Sequence, residues 1–297
     1  MPEELLRGTQ HSLTFAQIQN RTDALLATFL NACGNNDAAL ALQLAPNRDA
    51  GALTFGLNRA IGGSHLDLAR QLLGAGAKWD AQTVRLASRS LDAVKLLVEC
   101  GFDVNTGLVA GGTLLPKVVG HNDEPCVRYL LERGANPNLG PPSIKNGPLY
   151  LIHPIPNSGW ALNAAAAFST PEIFALLLSY GADISNAIPL HYAVRTSPKE
   201  VPGSRIPMLE YLVGLGLDIN AMDDADDGLG QHGTPLQHAV TWRRVEEAKW
   251  LLDRGADPDK KNPWGISARD QVKRLPPSHE LAILLSTSQT ERPSEEQ

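Results

Sequence analysis

The sequence predicts an all-α solenoid, a stack of about eight short helix–turn–helix units running as one continuous domain from about residue 23 to 287. Three observations predict it. An apolar run ending at a Gly recurs as LLGAGAKWD (72–80), LLVECGFDVN (96–105), LLERGANPN (130–138), LLSYGADIS (177–185), LVGLGLDIN (212–220) and LLDRGADPD (251–259). Upstream lies a second short apolar stretch that opens T-P-L-x-x-A, clearest in TPLQHA (234–239) and IPLHYA (188–193). The chain is 43% hydrophobic but only 5% aromatic, its apolar content is carried by Leu and Ala, and 26 Gly and 21 Pro supply frequent stops. Leu and Ala favour helices, and so many breakers suit many short helices better than a few long ones.

The six closing glycines, Gly76, Gly101, Gly134, Gly181, Gly216 and Gly255, are separated by 25, 33, 47, 35 and 39 residues. Gly ends a helix well because it enters the left-handed region without a Cβ penalty, and the Asp, Asn or Pro that follows starts a turn. This marker suits any array of helical hairpins; the opening half discriminates. Thr caps a helix N-terminus, Pro fits the first turn where no amide donor is required, and the Leu and Ala face the neighbouring unit. Weaker copies in phase are FGLNRA (55–60), TLLPKV (113–118) and WALNAA (160–165). Residues 233–263 carry both halves together and resemble one complete ankyrin repeat; degenerate copies extend the resemblance to the ankyrin-repeat family over nearly the whole chain. Tetratricopeptide arrays lack this punctuation. The resemblance implies helix pairs joined by short β-hairpin loops, and partners docking on the concave face.

In order, the units cover 23–50, 51–80, 81–105, 106–138, 155–184, 185–220, 221–259 and a capping unit at 265–285. Unit 81–105 is about eight residues short of the family's 33, so its first helix or its hairpin must be trimmed. An insertion follows Asn138, spanning about 139–159, and Leu149, Tyr150, Leu151, Ile152 and Ile155 make it unusually apolar for a loop. Unit 185–220 carries RTSPKEVPGSRIP between its helices, and unit 221–259 extends its hairpin as NAMDDADDGLGQHG. Insertions in a solenoid map to loops, where binding concentrates. Residues 1–22 are expected to form an N-terminal extension, and 288–297 a disordered polar tail.

Net charge is −6, which argues against a nucleic-acid binder held by phosphate contacts. No apolar run reaches a membrane span, and no signal pattern opens the chain, so an intracellular protein, cytoplasmic or nuclear, is expected. Cys33, Cys100 and Cys126 form no CxxC pair; Cys100 and Cys126 fall within apolar helical patterns, so buried reduced thiols are expected. The eight histidines show no HxxxH or HExxH spacing, so a metal site would have to be assembled from distant units. The run Asp223, Asp224, Asp226, Asp227 fails the calcium-loop pattern, with Ala225 at its third position and Thr234 at its twelfth. It reads as a solvated acidic hairpin tip, with Asp224 and Asp226 available to a basic partner. Neither GxGxxG, Gly-Lys-Ser/Thr nor GxSxG occurs, so no catalytic residue and no cofactor is assigned.

The resemblance supplies roles for particular residues. His191, at the His position of T-P-L-H, is expected to hydrogen-bond between hairpins. Asn105 and Asn220 have the spacing at which asparaginyl hydroxylases act on this family, although a hairpin hydrogen bond is the preferred account of both. The exposed pair before each inter-helix turn is Gly62–Gly63, Gly120–His121, Ala167–Phe168, Arg195–Thr196 and Thr241–Trp242. Large aromatics and Arg dominate binding hot spots, so Phe168, Arg195 and Trp242 stand out, with Arg243 beside them and Trp79 and Trp264 in hairpins on the same side. Trp250 replaces a core Leu. The expected function is a non-catalytic module binding a protein partner through the groove and hairpin tips. The alternative is an enzyme or small-molecule binder with its pocket between the groove and the 139–159 insertion.

Overall fold

The computed structural model describes residues 24–108, 111–141, 153–195, 201–223 and 233–287. Among them, sixteen α-helices form eight consecutive antiparallel pairs, in register with the expected units. They are α1 (Ala24–Gly34) with α2 (Ala38–Leu44), α3 (Ala50–Gly62) with α4 (Leu66–Gly74), α5 (Ala81–Ala87) with α6 (Leu91–Glu99), and α7 (Leu114–Val119) with α8 (Glu124–Glu132). There follow α9 (Trp160–Phe168) with α10 (Pro171–Ser179), α11 (Pro189–Ala193) with α12 (Ile206–Gly214), α13 (Pro235–Thr241) with α14 (Val245–Asp253), and α15 (Ala268–Val272) with α16 (Glu280–Thr287). Odd-numbered helices pack on odd-numbered neighbours and even-numbered helices on even-numbered ones, most weakly between α5 and α7 and between α12 and α14.

Local chemistry explains where the helices start and stop. Asp80, Thr234 and Ser267 each form a reciprocal capping box, and Asp37, Asp49, Ser90 and Asp123 accept from a first-turn amide. All six predicted closing glycines have positive φ, from +82° at Gly134 to +103° at Gly76. The amide after each Gly donates to the carbonyl of the Leu four residues before it, as in Ala182 to Leu177 at 3.0 Å and Phe102 to Leu97 at 2.9 Å. This six-to-one bond is the Schellman closure. Those six leucines, Leu72, Leu97, Leu130, Leu177, Leu212 and Leu251, are between them no more than 0% exposed. One residue type thus ends the helix and another, four residues upstream, anchors it; burying each Leu contributes about 1.5–3 kcal/mol.

The Leu and Ala of the opening motif are equally buried, with Leu236, Ala239, Leu190, Ala193, Leu57, Ala60, Leu162 and Ala165 all at 1% or less. With no large side chain at the Ala positions, first helices approach closely, and α9 packs against both α7 and α11. Trp250 is core as expected, at 6% exposure, with its indole Nε1 donating to Glu210 at 3.4 Å and the Arg254 guanidinium 4.1 Å above its ring.

The loops depart from the expected β-hairpins. Among the described residues there is no β-ladder, only an isolated antiparallel bridge between Gly140 and Ile155. Side chains hold the loops together instead. Asn105 Nδ2 donates to the Gly134 carbonyl (2.9 Å) while its Oδ1 accepts from the Asn136 amide (2.8 Å). Asn138 does the same to Gly181 and Asp183 (2.8 and 2.8 Å), and Asn220 to Gly255 and Asp257 (3.1 and 2.7 Å). Each Asn therefore brackets the next unit's closing Gly from both sides. In the short unit the loop is what is trimmed: α4 ends at Gly74 and α5 begins at Ala81. There Thr54 replaces the Asn, donating to the Lys78 carbonyl and accepting its amide.

At the other end of the units, His65 bonds the Gly34 carbonyl (3.0 Å), His121 lies 3.3 Å from the Ser88 hydroxyl, and Ser169 donates to the Val119 carbonyl. The three cysteines are free; burial pushes the Cys33 and Cys126 thiols up to about 11 and about 12, while Cys100 is only partly buried. The expected N-terminal extension and polar tail, and Leu149, Tyr150, Leu151 and Ile152 of the insertion, lie outside the described residues.

Candidate binding groove

The first helices of five successive units line a groove of about 570 Å³. Its floor is small and apolar, with Pro116 and Gly120 at the end of α7 and Ala164 and Ala167 in α9. Aromatic rings rise from it: Trp160 and Phe168 at the two ends of α9, Tyr192 in α11 and Trp242 capping α13. Four of the chain's sixteen aromatic rings thus meet in one place, in a protein that has few to spare. Phe168 and Trp160 remain 51% and 43% exposed. Such unfilled aromatic surface at a concave site is the pattern of a docking position.

The rings are held in place. Trp160 packs edge-on against Tyr192 at 6.0 Å, and the Arg195 guanidinium lies over Tyr192 at 4.9 Å. A Cβ at Gly120 would lie 3.9 Å from the Phe168 ring, at ordinary contact distance, so Gly120 and Phe168 are neighbours on the groove floor. The base of the insertion adjoins the same wall: Gly140 and Ile155 exchange backbone hydrogen bonds, Ser158 donates to the Pro141 carbonyl, and a Cβ at Gly140 would lie 3.3 Å from the Trp160 Cβ.

Of the residues singled out in the sequence, Phe168, Arg195 and Trp242 line the groove together. Arg195 corrects its expectation in one respect: it is 8% exposed, not a free surface cation, with its guanidinium 4.9 Å from the centre of the Tyr192 ring. Arg243 does not join them. It turns the chain with φ +55° and lines, with Trp242, a neighbouring cleft of about 500 Å³ beside Glu246 and Glu280. Trp79 is partly buried against Phe102, ring centroids 5.8 Å apart, and Trp264 is 56% exposed in the loop before α15; neither lines the groove. Asp224 and Asp226 lie outside the described residues. Asp223, expected in a solvated acidic tip, is fully buried with its carboxylate 3.4 Å from His238.

His191 has the structural role that the resemblance implied. Its Nε2 sits 3.1 Å from both the Ala221 and Gly233 carbonyls, pinning the two ends of the extended hairpin. Burial, then the neighbouring His238 at 5.2 Å between ring centroids, pushes its pKa down to about 4. The equivalent positions reach the next unit in the same way: Gln237 donates to the Ile266 carbonyl, and Asn163 accepts from the Ile188 amide.

Sequence reasoning missed Arg85, Lys117, Trp160 and Tyr192 as groove residues. Trp160 stands where the opening motif has Thr, and that departure was the available signal. Among the described residues no group of three or more His, Cys, Asp or Glu side chains is placed to hold a metal ion, and no helix is long and apolar enough to cross a membrane.

The family model for ankyrin repeats, three copies, matches residues 82–186 and 162–262, which together exceed half of the chain. The chain belongs to the ankyrin-repeat family. Among curated proteins, this ankyrin-repeat chain is 30% identical over 97 residues to ankyrin repeat and SOCS box protein 6 of Pongo abelii, and 29% identical over 97 residues to that of Homo sapiens. The match takes in 33% of this chain and 23% of each relative, so the chain spans about a quarter of their length. Among solved structures, the human ASB11 ankyrin repeat domain is 20% identical, covering 89% of this chain and 99% of that one at a TM-score of 0.43. Ankyrin repeats are generally protein–protein interaction modules, and this chain is built of them.

Proposed function

We propose that this ankyrin-repeat chain is a non-catalytic interaction module that docks a protein partner along the groove at the ends of its first helices. One observation carries the reading: Phe168 and Trp160 stand half-exposed around a groove that also gathers Trp242, Tyr192 and Arg195. Aromatics and Arg are the residue types from which hot spots are made. The acidic hairpin with Asp224 and Asp226, and the outlying Arg243, Trp79 and Trp264, are proposed as secondary contacts for a partner large enough to overhang the groove. A second reading has its own observation. The groove's volume of about 570 Å³ lies in the range of small-molecule sites, and the insertion's base abuts Trp160, so a lidded ligand site is the competing function.

The test is affinity purification with mass spectrometry on the parent, a Phe168→Ala/Trp242→Ala variant, and an Ile283→Ala control on α16, where Ile283 is 52% exposed away from the groove. A direct partner should weaken by at least about 2 kcal/mol in the double variant and persist in the control, with circular dichroism unchanged in both. Interactors held equally by all three sink the groove reading. Collapse of the double variant's melting transition shows that the rings are core.

A further inference from the structure

We infer that the groove's ligand is an acidic, extended peptide segment of a partner protein, with apolar side chains seated among the aromatic rings. The inference rests on the groove reading above and adds the chemistry of what binds there. Its ground is the charge of the wall. Among the described residues, every charged residue lining the groove is a cation, namely Arg85, Lys117 and Arg195, with His121 alongside, and no Asp or Glu is among them. This occurs in a chain whose net charge is −6. Chance does not favour three cations and no carboxylate on such a surface.

Arg85 and Lys117 are exposed, and among the described residues neither belongs to an ion pair; Arg85 donates only to the side-chain oxygen of Gln82 at 2.9 Å. Some exposed cations elsewhere are paired, as Arg70 with Glu99 and Arg128 with Glu124, each at 2.6 Å, and others such as Arg89 and Lys249 are not. What sets the groove cations apart is that they share one wall with no carboxylate among the described residues. Compensation of helix dipoles does not account for their placement. Arg85 and Lys117 sit in the last turns of α5 and α7, where a partial negative charge of about half a unit is expected. The N-terminus of each following helix begins only a few residues on, at Leu91 and Glu124, and brings the opposite partial charge to the same turn. The side-chain cations therefore dominate the field over the floor, and a low-dielectric aromatic wall concentrates it.

Shape selects an extended chain. The lining residues come from five successive first helices, α5, α7, α9, α11 and α13 with their caps. Four spacings of about 8–10 Å between packed helices give a track of about 32–40 Å, which an extended segment of about ten to twelve residues fills. Alternate side chains of such a segment face the wall, so acidic residues can meet Arg85 and Lys117 while apolar ones reach Phe168 and Trp242.

Selection of a phage-displayed random peptide library on the intact chain tests this. Peptides enriched in Asp and Glu next to apolar residues are expected. Their affinity, read by fluorescence anisotropy, should fall at least tenfold in Arg85→Glu/Lys117→Glu and in Phe168→Ala/Trp242→Ala, and should weaken with added salt. The charge-reversed variant should in turn favour Lys-substituted copies of the same peptides. Both reversed side chains are exposed, so circular dichroism should be unchanged. Peptides that need Phe168 and Trp242 but show no acidic enrichment, or that ignore the charge reversal, overturn this inference and leave the groove reading standing. Peptides indifferent to Phe168 and Trp242, or a selection that returns nothing above background, overturn both.

Discussion

Replacing Asn138 with Ala removes a side chain that, among the described residues, ties the units on either side of the 139–159 insertion at their loop ends. Two hydrogen bonds are lost, Nδ2 to the Gly181 carbonyl and the Asp183 amide to Oδ1, both 2.8 Å. A hydrogen bond of this kind contributes about 1 kcal/mol net, and water reaches the half-buried site to take up part of the loss. The expected local cost is therefore about 1–2 kcal/mol. In a linear array that cost falls on one interface rather than on the whole fold, so a global melting temperature is a blunt measure. Amide hydrogen exchange is the sharper assay. Exchange at Asp183 should quicken about tenfold, since about 1.4 kcal/mol corresponds to a factor of ten, while amides of α13 and α14 keep their rates. Asn138→Asp should do no better than Ala, because it keeps the acceptor but sets a carboxylate against the Gly181 carbonyl oxygen. An unchanged Asp183 rate in Asn138→Ala, or wild-type behaviour in Asn138→Asp, would refute the bracket as the element coupling these loops.

Three further outcomes follow from particular contacts. His191 is held below its ordinary pKa, at about 4, by burial and by His238, so the unfolded chain binds the extra proton first. Stability from this group is complete above about pH 6.5 and is lost as pH falls toward 4, by about 3 kcal/mol in all; in His191→Asn the urea midpoint should lose part of that slope, and an unchanged slope would show that His191 does not carry it. Gly159→Ala should be costlier than Gly181→Ala. A Cβ at Gly159 would collide with the Asn186 carbonyl oxygen, whereas Gly181, at φ +84°, has nothing within 4 Å. Overpacking predicts about 2–3 kcal/mol for the first and backbone conformation alone about 1 kcal/mol for the second; the reverse order in urea unfolding would contradict the close approach. Finally, with a thiol-specific reagent at pH 8, partly buried Cys100 should react well before Cys33 and Cys126, whose raised pKa values of about 11 and about 12 leave almost no thiolate. Simultaneous reaction of all three in the folded chain would count against the buried assignment.

Much of the architecture was legible before any coordinates because it is written in short-range chemistry. A Gly that must take positive φ, a Leu four residues before it, and a Thr or Asp that must cap are local requirements, and the repeat of local requirements is the fold. Eight helix pairs therefore appear in the expected register, and the short unit could be recognised from spacing alone. Asn105 and Asn220 were identifiable as loop residues in the same way.

The groove is of another kind. Arg85, Lys117, Trp160 and Tyr192 come from four different units, and their convergence depends on how successive first helices pack, which no local pattern records. Tertiary packing also decided that Arg195 is buried with its guanidinium over Tyr192 instead of standing free, and that Asp223 is buried against His238. The repeat and its stops belong to the sequence by itself, because backbone conformation and capping act within a few residues. The face that binds belongs to the stacked structure, because charge and aromatic surface sum across units that touch only after folding.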